Sequence, residues 1–250
     1  MKKLMCALAA VAAGVALADV QSANIVGYQK VAIANQDFSL FAPTFKGVGG
    51  ELDLTDIKVF DAVGEPAFYG AVTIQTMDEY NTFDGETCEM YTWDGEVWLD
   101  SEDIPVDPET KFFRVGDAFL VVNSAEDVFF QVSGEVDLIN KNLIPNQDFS
   151  LNGNSLPVPV DLANIKVVDA DGEPSFYGAV TIQTMDENNT FDGETCEMYT
   201  WDGEVWLDGE DVPVDPEVKI FNPGDAFLVV NSAGDELYLQ FPSPIAPKAE

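Results

Sequence analysis

The chain has 250 residues, 45 of them acidic against 11 basic, no histidine, and a formal net charge of −34. Binding to a phosphate backbone or an anionic membrane surface depends on clustered Lys and Arg, which are sparse and scattered here, so both are excluded as partners. Without histidine the commonest general base, the Ser–His pairings and most zinc or iron sites are gone. No glycine-rich phosphate loop precedes a helix, and nothing singles out a carboxylate pair for glycoside hydrolysis, so the chain does not read as an enzyme.

The first segment reads as a signal for export. Lys2 and Lys3 form a basic start, residues 4–15 are an apolar run of small residues, and Ala16, Leu17 and Ala18 make a small-residue cleavage site. Cleavage after residues 1–18 removes two of the basic residues and no acidic one, leaving 9 − 45 = −36. The apolar run is too short to span a bilayer and no second one follows, so no membrane insertion is expected. The expected location is the periplasm, the cell surface or the medium.

From residue 19 onward almost every segment alternates with the period of a strand. Strands are expected over residues 25–33, 38–41, 57–60, 72–77, 90–93, 97–100, 112–113, 118–122 and 128–132, with one helical turn over 53–56. Residues 90–93 and 97–100 flank Asp94 and Gly95, a strong hairpin signal. The pattern then starts again. Residues 59–125 recur as residues 167–233, with ten of the sixty-seven positions changed, and residues 83–100 recur unaltered as 191–208. A repeat of this length means two copies of one structural unit. The expected organisation is all-β: two tandem β-sandwich or barrel-like domains, residues 19–134 and 135–242, followed by a Pro-bearing tail over 243–250. With no Pro- or Ser-rich linker near Gly134, the two units are expected to be joined stiffly and to share an interface.

Phe38, Ser39 and Leu40, then Tyr91, Trp93, Asp94, Gly95 and Trp98, then Gly116, Asp117, Ala118 and Phe119, and finally Gly134, Glu135 and Val136 form an ordered set. The second unit carries Pro223, Gly224, Asp225, Ala226 and Phe227. This set resembles a β-rich repeat of exported bacterial surface proteins. The resemblance implies a cell-surface or extracellular β module and carries no activity with it.

The hairpin supplies the first candidate site. With Asp94 and Gly95 as a two-residue loop, Trp93 faces Glu96 and Tyr91 faces Trp98. Cys88, Met90, Thr92, Val97 and Leu99 then form a core face, and Tyr91, Trp93, Glu96 and Trp98 an outer face of rings edged by carboxylates. Tyr199, Trp201, Glu204 and Trp206 repeat it in the second unit. Such a face suits a polysaccharide, with rings against C–H faces and carboxylates taking hydroxyl hydrogen bonds. The competing expectation packs the same rings into the core.

The second candidate is calcium, which takes six to eight oxygens held in a loop. Asp100, Glu102, Asp103, Asp107 and Glu109, with Asp208, Glu210, Asp211, Asp215 and Glu217, offer carboxylates, but their spacing matches no calcium loop and a solvated acidic loop explains them better. No other cofactor is implied. Cys88 and Cys196, at equivalent positions, leave three states open: one bridge across the duplication, a bridge between molecules, or two buried thiols.

The sequence therefore points to a secreted, non-enzymatic structural or adhesive protein. A carbohydrate-binding module and a calcium-dependent, self-associating assembly protein are the alternatives.

Overall fold

A computed structural model describes residues 26–33, 39–47, 50–76, 88–107, 110–125, 128–136, 141–146, 149–185 and 196–242. The export segment, Phe38, Glu109 and the tail lie outside the described residues. The chain is all-β. Its first unit carries β1 (Val26–Ile33), β2 (Ser39–Phe41), β3 (Leu52–Asp53), β4 (Lys58–Phe60), β5 (Val72–Thr76), β6 (Glu89–Trp93), β7 (Trp98–Leu99), β8 (Phe112–Phe113), β9 (Phe119–Asn123) and β10 (Val128–Glu135). The second repeats the series as β11 (Lys141–Ile144), β12 (Ser150–Gly153), β13 (Val160–Asp161), β14 (Lys166–Val168), β15 (Val180–Thr184), β16 (Glu197–Trp201), β17 (Trp206–Leu207), β18 (Ile220–Phe221), β19 (Ala226–Asn231) and β20 (Leu237–Gln240). Among the described residues, no helix is long and apolar enough to cross a membrane.

Alternation builds these strands. In β5 the side chains of Val72, Ile74 and Thr76 are buried while Thr73 and Gln75 stand half-exposed between them, the period-2 pattern of a sheet with one face on a core. The one helical turn expected over 53–56 is present as a 3-10 turn at Leu54–Asp56, capped by the Asp53 carboxylate, which accepts from the Thr55 N–H at 2.7 Å. Ahead of it, β3 pairs with β8, a two-residue ladder that composition did not reveal.

Each unit is a sandwich of a three-stranded sheet on a five-stranded one, with a separate two-stranded ladder. The orders are β1-β10-β4, β2-β9-β5-β6-β7 and β3-β8 in the first unit, and β11-β20-β14, β12-β19-β15-β16-β17 and β13-β18 in the second. Phe130 of β10 joins the two sheets of unit one. Its ring sits edge-on to Phe41 of β2 at 5.0 Å and to Trp98 of β7 at 6.3 Å. In unit two the buried Leu239 of β20, opposite Val167, takes the place that Phe130 holds opposite Val59.

In each five-stranded sheet the first two strands, β2 and β9 in unit one and β12 and β19 in unit two, are buried on both faces. Phe41, Phe119 and Val121 point into the core of unit one. Their neighbours Leu40, Ala118 and Leu120 belong instead to a cluster with Leu151, Met185, Ala226 and Leu228 of unit two. The members pair off as equivalents: Leu40 with Leu151, Ala118 with Ala226, Leu120 with Leu228. Two backbone hydrogen bonds repeat the symmetry, from Ala42 N–H to the Gly224 carbonyl at 3.0 Å and from Gly153 N–H to the Gly116 carbonyl at 3.0 Å. The interface between the units is therefore a pseudo-two-fold one, with the same patch contributed from both sides. Gly153 lies where the backbones come closest: a Cβ there would overlap the Ala42 methyl and crowd the Asp225 carbonyl.

Candidate functional site

The hairpin expected to carry a site has a different register. Trp93 lies opposite Trp98 and Thr92 opposite Leu99, so four residues, Asp94 to Val97, make the loop. Asp94 sets this length. Its Oδ1 accepts from the N–H groups of both Glu96 and Val97 at 2.7 Å, and its own N–H donates to the Val97 carbonyl at 3.0 Å. The carboxylate thus holds a wider turn than an Asp-Gly pair alone would, and the expected pairing of Trp93 with Glu96 is lost.

The rings share one face in either register, and that face turns inward. Trp93, Trp98, Trp201 and Trp206 are among the most deeply buried side chains, and Tyr91 and Tyr199 are buried with them. Trp93 and Trp98 meet edge to face at 5.4 Å, as do Trp201 and Trp206. Each indole N–H is satisfied internally: Trp93 Nε1 donates to the Ala67 carbonyl at 3.1 Å and Trp98 Nε1 to the Ile57 carbonyl at 2.8 Å, with Ser175 and Ile165 as the matching acceptors in unit two. The outer-face platform of Tyr91, Trp93 and Trp98, and its copy at Tyr199, Trp201 and Trp206, is therefore corrected to core. Met90 and Val97, expected inside, are exposed, as are Glu96 and Glu204 at the loop tips.

The acidic loop after the hairpin is a second turn of the same design. Asp100 Oδ1 accepts from the N–H groups of Glu102 and Ile104 at 2.9 and 3.0 Å, and Asp208 does the same for Glu210 and Val212. Asp103 and Asp211 take left-handed backbone conformations, at φ 59° and 61°. Among the described residues, no three Asp, Glu or Cys side chains are grouped so as to hold a metal ion. Beside this loop in unit one runs a groove of about 620 Å³, lined by Cys88, Met90, Asp100, Glu102, Ile104 and Asp107 among others. Neither Cys88 nor Cys196 is in a disulfide; both are half-buried.

Charge in these loops follows the hydrogen bonds. The N–H groups of Val97 and Glu96 hold the Asp94 carboxyl below the usual carboxylate range, and those of Val205 and Glu204 do so for Asp202. A carboxyl depressed in the folded state contributes stability that is complete above its unfolded value of 3.8 and is lost as pH falls through its folded value. Acid unfolding followed by tryptophan fluorescence below about pH 4 is therefore expected to be shallower in the Asp94→Asn, Asp202→Asn double variant than in the parent. Equal slopes would remove these caps from the account. Glu89 is balanced differently. Burial opposes its ionisation, but the Lys111 ammonium at 2.9 Å and the Tyr91 hydroxyl at 2.9 Å together hold it below the ordinary value. Burial, with Glu89 beside it, pushes the Tyr91 hydroxyl far up, so it remains a donor.

No family model, curated protein or solved structure matches this chain. Its surface has to be read from its own residues.

One surface feature that sequence reasoning passed over is present in both units. Phe68 and Tyr69 are 64% and 58% exposed, and Phe176 and Tyr177 are 60% and 61% exposed. They sit on a tight turn: Ala71 N–H donates to the Phe68 carbonyl at 3.1 Å, and Gly70 supplies the φ of +75° that a side chain would resist. Two further bonds fasten the turn to the hairpin. Gly70 N–H donates to the Trp93 carbonyl at 2.8 Å, and Trp93 Nε1 donates back to Ala67. The signal was available: an aromatic pair between Pro66 and Gly70 sits in no alternating run, so no strand exists to bury it.

Proposed function

We propose that the protein is an exported, non-enzymatic component of a cell surface or extracellular matrix that works by holding other molecules, or further copies of itself, through its surfaces. The observation that carries this reading is the pseudo-two-fold fusion of the units, seen in the reciprocal bonds from Ala42 to Gly224 and from Gly153 to Gly116. Most of the outward surface built by residues 59–125 then has a counterpart in residues 167–233, displayed from the same body. A chain that presents one patch twice links neighbours into open arrays instead of closed pairs. The strong negative charge keeps such copies apart at low ionic strength and ceases to do so when cations screen it.

Light scattering of the mature chain across millimolar calcium and rising salt tests the reading. Oligomers that form as cations are added and dissolve in chelator or low salt are the expected result. A particle that stays monomeric throughout would overturn the assembly role.

A further inference from the structure

The exposed Phe–Tyr turn has a specific chemical setting. Its rings give nothing to the core, yet the backbone beneath them is fastened by three hydrogen bonds, so little freedom is lost when something covers them. A carboxylate lies at its edge. Asp103 Oδ1 lies 3.5 Å from the Tyr69 hydroxyl, and the Asp94–Glu96 loop approaches Ala67 through Gly95. Lys111 pairs with Glu89, Lys219 with Glu197 and Arg114 with Asp117, and Lys30 and Lys141 lie over the rings of Phe129 and Tyr238; Lys58 stands in β4, which the turn joins through the Ala67 N–H and the Val59 carbonyl. Exposed ring faces beside a carboxylate attract a cation twice, once through the ring quadrupole and once through the charge. A chain of net charge −34 extends that attraction to the approach from solution. An anionic ligand is repelled at this site, and a neutral one makes no use of its charge.

We propose that the turn bearing Phe68 and Tyr69, and its copy bearing Phe176 and Tyr177, are docking sites for a basic segment of a partner protein, with a guanidinium or ammonium seated on the rings and paired with Asp103 or Glu96. The proposal rests on the surface-binding role above and names the partner's chemistry. The first site is the stronger. In unit two the Lys141 ammonium lies beside Gly172, in the turn that leads to Phe176, and places a positive charge near the second site.

The test uses the full mature chain and a labelled peptide of alternating Arg and Gly, read by fluorescence anisotropy at about 0.15 M salt, where surface charges act over about 8 Å. Phe68→Ser with Tyr69→Ser is expected to weaken binding about tenfold, Phe176→Ser with Tyr177→Ser less, and Val63→Ser, an exposed apolar control on the preceding turn, hardly at all. Unchanged tryptophan emission confirms that each variant is folded. Equal binding by the parent and the Phe68, Tyr69 variant would mean diffuse charge attraction and would overturn the site. Failure of the peptide beside saturable binding of a neutral polysaccharide that the same variant loses would assign the rings to a glycan and overturn the basic partner. Binding of neither would remove the site altogether, while the scattering measurement, which does not involve these rings, still decides the assembly role.

Discussion

Trp98→Ala is expected to cost about 3–5 kcal/mol of folding stability, the range for removing a large buried ring. The indole is fully buried, packs against Trp93 at 5.4 Å and Phe130 at 6.3 Å, and is the donor to the Ile57 carbonyl. Alanine would open a cavity at the junction of the two sheets and leave that carbonyl without its partner, a second penalty of about 1–3 kcal/mol if water does not enter. Urea unfolding followed by far-UV circular dichroism measures the sum. Met90→Ala is the paired control: Met90 is 53% exposed, and surface changes of this kind stay within about 0.5 kcal/mol. The two residues stand on opposite faces of one hairpin, so the pair reports its orientation directly. A small loss for Trp98→Ala together with a large one for Met90→Ala would restore the outward-facing rings.

Leu228→Asp is expected to uncouple the two units. Leu228 packs in the shared cluster with Leu40, Leu120 and Leu151, on the face of β19 turned away from its own core. An aspartate there must either shed its charge or draw water into the interface, and either route forfeits about 1.5–3 kcal/mol of leucine burial before the carboxylate is counted. The parent is expected to unfold in one calorimetric transition, because neither unit keeps this face covered alone. The variant is expected to show two, with tryptophan emission unchanged before the first, since both aromatic cores lie elsewhere. Gly153→Val reaches the same end by overlap with the Ala42 methyl and the Asp225 carbonyl, and should give the same two transitions. One transition at the parent's midpoint in both variants would show that the units are tied by the chain and not by this interface.

The strands were legible because their alternation survives in one dimension. Residues 72–77 and 128–132 were read as strands; β5 covers Val72–Thr76, with residue 77 outside the described residues, and β10 extends to Glu135. The hairpin's existence was equally plain, but its inward face was not. Both faces of residues 88–100 carry apolar side chains, Met90 and Val97 on one and Tyr91, Trp93 and Trp98 on the other. Period-2 patterning cannot choose between two apolar faces. The Asp94 carboxylate on two backbone N–H groups widens the loop to four residues and sets Trp93 against Trp98, a two-residue shift that keeps the rings on one face. What turns that face inward is its packing on distant segments, Trp98 against Phe130 and the indole N–H groups on the Ile57 and Ala67 carbonyls.

The interface had a sequence signature of its own. Residues 118–122, Ala-Phe-Leu-Val-Val, are an unbroken apolar run, which is how a strand buried on both faces reads. That run says a second surface must cover Leu120 but not which. A repeated chain tells a reader that two like units exist, because identity is a property of the string. Strand period and turn chemistry are similarly local, fixed by neighbours a few residues apart. Which rings are buried, and that Leu120 is covered by Leu228 and its cluster, depend on distant segments competing for the same apolar surface, and that competition is resolved only when the sheets pack.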